Sequence, residues 1–131
     1  MAAVIKALWK CDGEEAEIQN LDYSFNQNYD AIGQVSGEVM GGMINVSLMT
    51  AKSEKRFGWA ITSDLKKDGE IEFIDNDGQT LKTLKFTDGY MVAYNESYSG
   101  FGGGGATENL TLSCRTIAIG GETHENTWET M

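Results

Sequence analysis

The chain has 131 residues, twenty acidic and ten basic, for a formal charge of −10; that length holds a single domain, residues 1–131, with no room for a second. At 40% hydrophobic and 23% charged residues it has the composition of a folded protein and not a disordered one, and at this size a core needs no metal or disulfide staple. The acidic balance has the wrong sign for neutralising nucleic-acid phosphates, and no apolar run approaches the roughly 20 residues of a membrane helix.

The first residues, Met1 to Ala7, carry neither a basic lead nor a long apolar stretch, so the chain is expected to lack a secretory signal and to fold in a cytosol. Cys11 and Cys114 form no Cys-x-x-Cys or zinc spacing and are expected to be reduced, buried thiols. Leu21, Tyr23 and Phe25 alternate with Asn20, Asp22 and Ser24, the period of a half-buried strand. The connection over residues 26–42 is long for a hairpin loop and holds Asp30, Gly33, Ser36, Gly37, Gly41 and Gly42, residues suited to a shaped surface loop. Ile44, Val46 and Leu48 mark the next strand.

Between Thr50 and Lys66, Phe57, Ala60, Ile61 and Leu65 recur at helical spacing, and at 100° per residue Lys52, Lys55, Trp59 and Lys66 fall on the opposite face. Residues 52–67 carry five bases against two acids, a net of +3 that leaves −13 on the remainder. The charge is segregated, and a tryptophan expected among exposed lysines points to a contact surface. Further on, Leu81 followed by Leu84 and Phe86 shows a phase slip, Tyr90, Val92 and Tyr94 share a phase, and Leu110, Leu112 and Cys114 give way to Ile117 and Ile119. Such slips predict β-bulges or a strand passing from one sheet to another. Asp12-Gly13, Gly41-Gly42, Asp68-Gly69, Asp77-Gly78 and Asp88-Gly89 are the expected turns. The spacing is that of a small β-barrel or sandwich.

Chemistry is sparse. His124 is the only histidine, with no Ser, Cys or Asp partner assignable by spacing, and Asp75 and Asp77 precede Gly78 in an expected turn; neither supports a triad or an acid/base pair. An EF-hand built on Gly78 would put Phe73 at its first ligand position, which excludes it. Gly100 to Gly105 satisfies Gly-x-Gly-x-x-Gly, but the residues after it alternate like a strand where a dinucleotide site needs a helix. Asn45, Asn95 and Asn109 begin glycosylation triplets that matter only in a eukaryotic secretory pathway. No catalytic, cofactor or metal residues are assigned.

The order of short signatures is more telling. It begins with Leu21-Asp22-Tyr23-Ser24-Phe25-Asn26-Gln27, Asp30, Gly33, Ser36, Val39, Gly41-Gly42 and Ile44, and runs on through Phe57-x-Trp59 and Gly69-x-Ile71-x-Phe73. Leu84-x-Phe86-x-Asp88-Gly89-Tyr90, Tyr94-x-Glu96-Ser97, Leu110-Thr111-Leu112-Ser113, Ile117-x-Ile119-Gly120 and His124-Glu125-Asn126-x-Trp128-Glu129 complete it. Over residues 17–128 the chain resembles the type VI secretion tube proteins, the haemolysin-coregulated protein family (Hcp, TssD), in their Bacteroidetes form. It departs from that pattern at Gln34 and Val35, where a basic residue and a proline are expected after Gly33.

The resemblance implies a mainly β fold, a small β-barrel of two antiparallel sheets with one flanking helix. It further implies a homo-hexameric ring that stacks into a hollow tube, a contractile sheath around it, a spike at its tip and effector proteins in its lumen. Such a protein is structural and not an enzyme, assembles in the bacterial cytoplasm, does not insert in a membrane, and is then secreted. By the same resemblance, the loop bearing Asp30, Gly33, Ser36, Val39, Gly41 and Gly42 touches the next ring. The helix bearing Lys52, Lys55, Trp59 and Lys66 is the expected lateral or sheath contact. Phage tail-tube proteins would carry similar features. A small-molecule-binding β-barrel is the competing class, since barrels enclose ligands and the chain has thirteen aromatic residues; it requires an internal cavity. A hydrolase using His124 ranks third.

Overall fold

The structure is a computed structural model that describes residues 4–50, 54–100 and 105–128. The described residues form nine strands, β1 (Val4–Cys11), β2 (Glu14–Tyr23), β3 (Asn26–Tyr29), β4 (Val35–Met40), β5 (Met43–Met49), β6 (Lys66–Asp75), β7 (Thr80–Ser99), β8 (Gly105–Ile119) and β9 (Glu122–Glu125), with one helix, α1 (Lys55–Ile61), between β5 and β6. Seven strands pair in the order β5-β2-β1-β6-β7-β8-β9, and β8 also pairs with β5. That second pairing closes six strands into a barrel, which leaves no edge between them unpaired.

The alternation read from the sequence sets which side chains fill it. Ile44, Val46 and Leu48 of β5 and Leu110, Leu112 and Cys114 of β8 point inward with Trp9, Ile71, Leu84 and Phe86. Trp9 stacks on Phe86 with ring centroids 5.6 Å apart. A gap lined by Trp9, Cys11, Arg56 and Trp59 amounts to only about 10 Å³, barely the room one water requires. The barrel is filled by its own side chains.

Bulges account for the phase slips. Lys82 pairs with Phe73 and Thr80 with Ile74, so Leu81 is an extra residue. Met91 pairs with Leu112 and Ala93 with Thr111, so Val92 is another: it turns outward while Met91 and Tyr94 face the core. The single face expected for Tyr90, Val92 and Tyr94 is thereby corrected. β8 pairs with β5 up to Ser113 and with β9 from Thr116, so its slip marks passage to another partner.

Asp12-Gly13 and Asp77-Gly78 are turns as expected, and Asp75 Oδ1 accepts the backbone N–H groups of Asp77 (2.8 Å) and Gln79 (2.9 Å). Asp68-Gly69 and Asp88-Gly89 are not turns. They lie inside β6 and β7, where the register shifts between Lys67 and Gly69. Asp88 there adopts a φ of 53° while its N–H donates to Asp68 Oδ1 at 2.8 Å. An Asp-Gly pair supplies a left-handed residue, which a bulge can require as well as a hairpin.

Candidate assembly surfaces

Strand direction sets two surfaces at opposite mouths of the barrel. β2 starts and β5 ends at the mouth that α1 covers, through Glu14 and Met49, whereas β2 ends and β5 starts at the mouth from which residues 26–40 project.

At the first mouth α1 is held by a buried cation. Arg56, 3% exposed, donates from Nη1 to Glu108 Oε2 at 2.9 Å and to the Met49 carbonyl at 3.1 Å. Its Nε lies 3.4 Å from Glu14 Oε2. Tyr94 Oη donates to the other Glu108 oxygen at 2.8 Å; burial first, and then this carboxylate, push the Tyr94 hydroxyl well above its ordinary pKa. Trp59 is the second peg, 3% exposed, with Nε1 donating to the Leu65 carbonyl at 3.0 Å.

The expected lysine-and-tryptophan face is therefore corrected. The helix ends at Ile61, so Leu65 and Lys66 are not on it. Two turns pegged by Arg56 and Trp59 leave Phe57 52% and Ile61 66% exposed, with Phe57 edge-on to Tyr94 at 6.2 Å. Lys66 opens β6, Lys55 Nζ donates to the Asp12 carbonyl at 2.7 Å, and Lys52 lies outside the described residues. Lys67, not Lys66, is the lysine over the Trp59 ring, 5.6 Å from its centroid.

At the second mouth the expected shaped loop is a two-stranded hairpin, β3 with β4, that pairs with no strand of the barrel. Asp30 builds its tip: Oδ1 accepts the N–H groups of Ile32 (3.1 Å) and Gln34 (2.9 Å), and Gly33 takes a φ of 87°. Ser36 and Val39 are exposed on β4. Gly41 and Gly42 are its root, not its reach: a Cβ on Gly41 would stand 2.1 Å from the Phe25 ring, and one on Gly42, which is buried, 2.7 Å from the Cys114 carbonyl. Asn126 clasps this root by donating to the carbonyls of Gly41 (3.0 Å) and Cys114 (3.1 Å). Tyr29, Ile32, Val35 and Val39 are exposed, Ile32 at 86%.

The remaining candidate residues find structural settings. His124 lies in β9 with Nε2 3.0 Å from Asn126 Oδ1 and its ring 4.9 Å from that of Phe25. Cys11 and Cys114 are free and buried, and burial raises their pKa values to about 11 and about 12. Of the glycine-rich segment, residues 101–104 lie outside the described residues.

A filled barrel with apolar side chains exposed at both mouths defines an assembly module and not a ligand-enclosing barrel. The family model for the haemolysin-coregulated protein Hcp (TssD) matches residues 3–129. A solved structure of Hcp1 from Flavobacterium johnsoniae is similar at 32% identity and a TM-score of 0.88, covering 93% of this chain and 100% of that one. Hcp1 of Salmonella typhimurium shares the fold at 15% identity and a TM-score of 0.71, over 88% of this chain and 85% of that one. So does a chain of the sheath-tube complex of an extracellular contractile injection system, PVC, at 16% identity, a TM-score of 0.59 and 90% of each chain. Comparison with curated proteins gives no match. The chain belongs to the Hcp (TssD) family.

Proposed function

We infer that this chain is the structural subunit of a type VI secretion inner tube, in which six copies close into a ring and rings stack around a lumen. The observation that carries this reading is the family match over residues 3–129, joined to a barrel whose interior its own core side chains fill. A subunit of this kind does no chemistry: its work is to present surfaces to other copies, to a contractile sheath, to a spike and to effector proteins in the lumen. It assembles in the bacterial cytoplasm and leaves the cell through the machine it belongs to.

Head-to-tail stacking requires two different surfaces on one subunit. The hairpin of residues 26–40 and the α1 mouth supply them at opposite ends, both with exposed apolar side chains. Asp30, Gly33, Ser36 and Val39 form the reaching part of the inter-ring contact, and Gly41 and Gly42 set its angle. Lys55 and Lys66 stay on the surface towards a lateral neighbour or the sheath, whereas Trp59 supports that surface from beneath. Electron microscopy of purified protein tests the reading: annular particles that stack at high protein concentration are expected, and featureless monomers at every concentration would refute it.

A further inference from the structure

The outside of the barrel is divided by chemistry. On one side the cross-strand row Glu15, Lys10, Glu70 and Lys85 runs over β2, β1, β6 and β7, an alternation of opposite charges. Lys10 Nζ reaches diagonally to Glu72 Oε1 at 2.7 Å, a hydrogen bond that raises the lysine pKa and lowers that of the carboxyl. On the other side, where β2 pairs with β5, β5 with β8 and β8 with the second half of β7, the rows are Asn20, Ser47, Asn109 and Asn95, then Asp22, Asn45, Thr111 and Ala93. A third row holds Met49, Thr107 and Ser97. Asp22 is the only ionisable side chain in these three rows of a chain that carries thirty charged residues.

Six of these side chains hydrogen-bond to one another. Asn45 Nδ2 donates to Asp22 Oδ1 at 3.0 Å, and Thr111 Oγ1 to Asn45 Oδ1 at 2.9 Å. Ser47 Oγ donates to Asn109 Oδ1 at 2.6 Å, and Asn109 Nδ2 to Asn95 Oδ1 at 3.3 Å. The bulges in β2, between Ile18 and Asn20, and in β7, between Met91 and Ala93, fall where the charged side gives way to the neutral one. The sheet turns its corner there.

We propose that this neutral amide-and-hydroxyl face of β2, β5, β8 and β7 lines the lumen of the tube and presents to transported protein a wall that is indifferent to its charge. The proposal rests on the tube reading above and adds which face looks inward and how it treats cargo. Three properties support it. The rows lack the Trp, Tyr and Arg anchors on which tight protein contacts depend. Six of their polar side chains already hold one another, so a passing surface gains little by replacing those bonds. At physiological salt the charges on the opposite side of the barrel are screened over about 8 Å.

The test uses the assembled protein carrying a new cysteine at one position, S47C or N95C on the neutral face and E15C or K85C on the charged one. Cys11 and Cys114 are buried and leave a low background. In rings, a small maleimide is expected to modify every subunit at all four positions. A long polyethylene-glycol maleimide should modify every subunit of the E15C and K85C rings but only a minority in the S47C and N95C rings, because chains entering one lumen exclude each other. With small cationic and anionic methanethiosulfonates, the rate ratio at Ser47→Cys should stay within about threefold of that for a free thiol at physiological ionic strength. Full modification of S47C and N95C rings by the long reagent would place this face outside and overturn the proposal. A bias of roughly tenfold or more between the two small reagents would overturn charge indifference. A variant set that stays monomeric alongside a monomeric parent refutes the tube reading itself, whereas rings with the wrong labelling refute only the assignment of the face.

Discussion

At the scale of single residues, Arg56 is the costliest to change, because it neutralises two carboxylates at a site where water is scarce. Arg56→Met removes that charge from Glu108, which is 4% exposed, and from Glu14. Loss of one partner from a buried ion pair costs about 3–5 kcal/mol, so a large fall in the urea midpoint is expected with the barrel fold retained at low denaturant. A shift below about 1 kcal/mol, the worth of a surface pair, would show that the cluster is solvated.

The thiols make a second test at this scale. Burial raises Cys11 to about 11 and Cys114 to about 12, while an unfolded thiol titrates near 8.5. The folded state therefore holds protons that the unfolded state has already released above that pH. Stability contributed below about 8.5 is lost as pH rises towards the folded values, by roughly 1.4 kcal/mol per pH unit for each thiol. Alkylation at neutral pH should be slow in the native protein and fast in urea. Flat stability between about pH 9 and 11, inside the window between the unfolded value near 8.5 and the raised folded values, would contradict the burial.

Legibility at this scale was uneven, for physical reasons. Inward residues such as Ile44, Val46 and Leu48 declare themselves by period two. Arg56 does not, because a basic residue on a short helix reads as solvated until Glu14 and Glu108 arrive from β2 and β8. Asn126 is equally silent, since both its acceptors are main-chain carbonyls remote in sequence.

At the scale of elements, α1 shows how an apolar stripe misleads. Phe57 and Ile61 are apolar and exposed while Arg56 and Trp59 are buried, the reverse of the amphipathic rule for a helix on a complete core. A subunit that assembles spends part of its apolar surface on contacts with other copies. Trp59→Ala accordingly acts on folding, with an expected loss of roughly 3–5 kcal/mol as for other buried aromatics. If the variant kept parental stability and lost only assembly, Trp59 would be an exposed anchor after all.

The hairpin gives the opposite expectation. β3 and β4 pair only with each other, so replacing residues 31–38 by a short glycine linker should leave the barrel's thermal midpoint and ring formation nearly intact. Stacking into tubes, followed by electron microscopy, should fall sharply. Tubes formed as readily as by the parent would remove the hairpin from the inter-ring contact, and loss of rings would move it to the lateral one. Its existence as paired strands was hidden in the sequence, because every residue in it is exposed on both faces and no alternation survives where neither face is buried.

At the scale of the whole molecule, barrel class and bulged strands were legible because closure depends on the same inward phases that the sequence displays. Which strands meet was not, since the β5–β8 pairing joins segments some 60 residues apart: Ser47 faces Asn109. The excess of bases over residues 52–67 is legible in the sequence, whereas the distribution of charge around the barrel is not, because it depends on which strands pair. Charges of both signs alternate across β1 and β6, and almost none stand on β5 and β8. A particle of six such subunits carries a formal −60, six times the −10 of one chain, so mutual repulsion at low salt is expected to weaken assembly.

Native mass spectrometry at moderate ionic strength measures the central claim most directly. Six copies of a 14.3 kDa chain give about 86 kDa, and a dominant species of that mass, dissociating to a monomer on activation, is the predicted result. A spectrum that holds only the 14.3 kDa chain at every protein concentration and salt would contradict it.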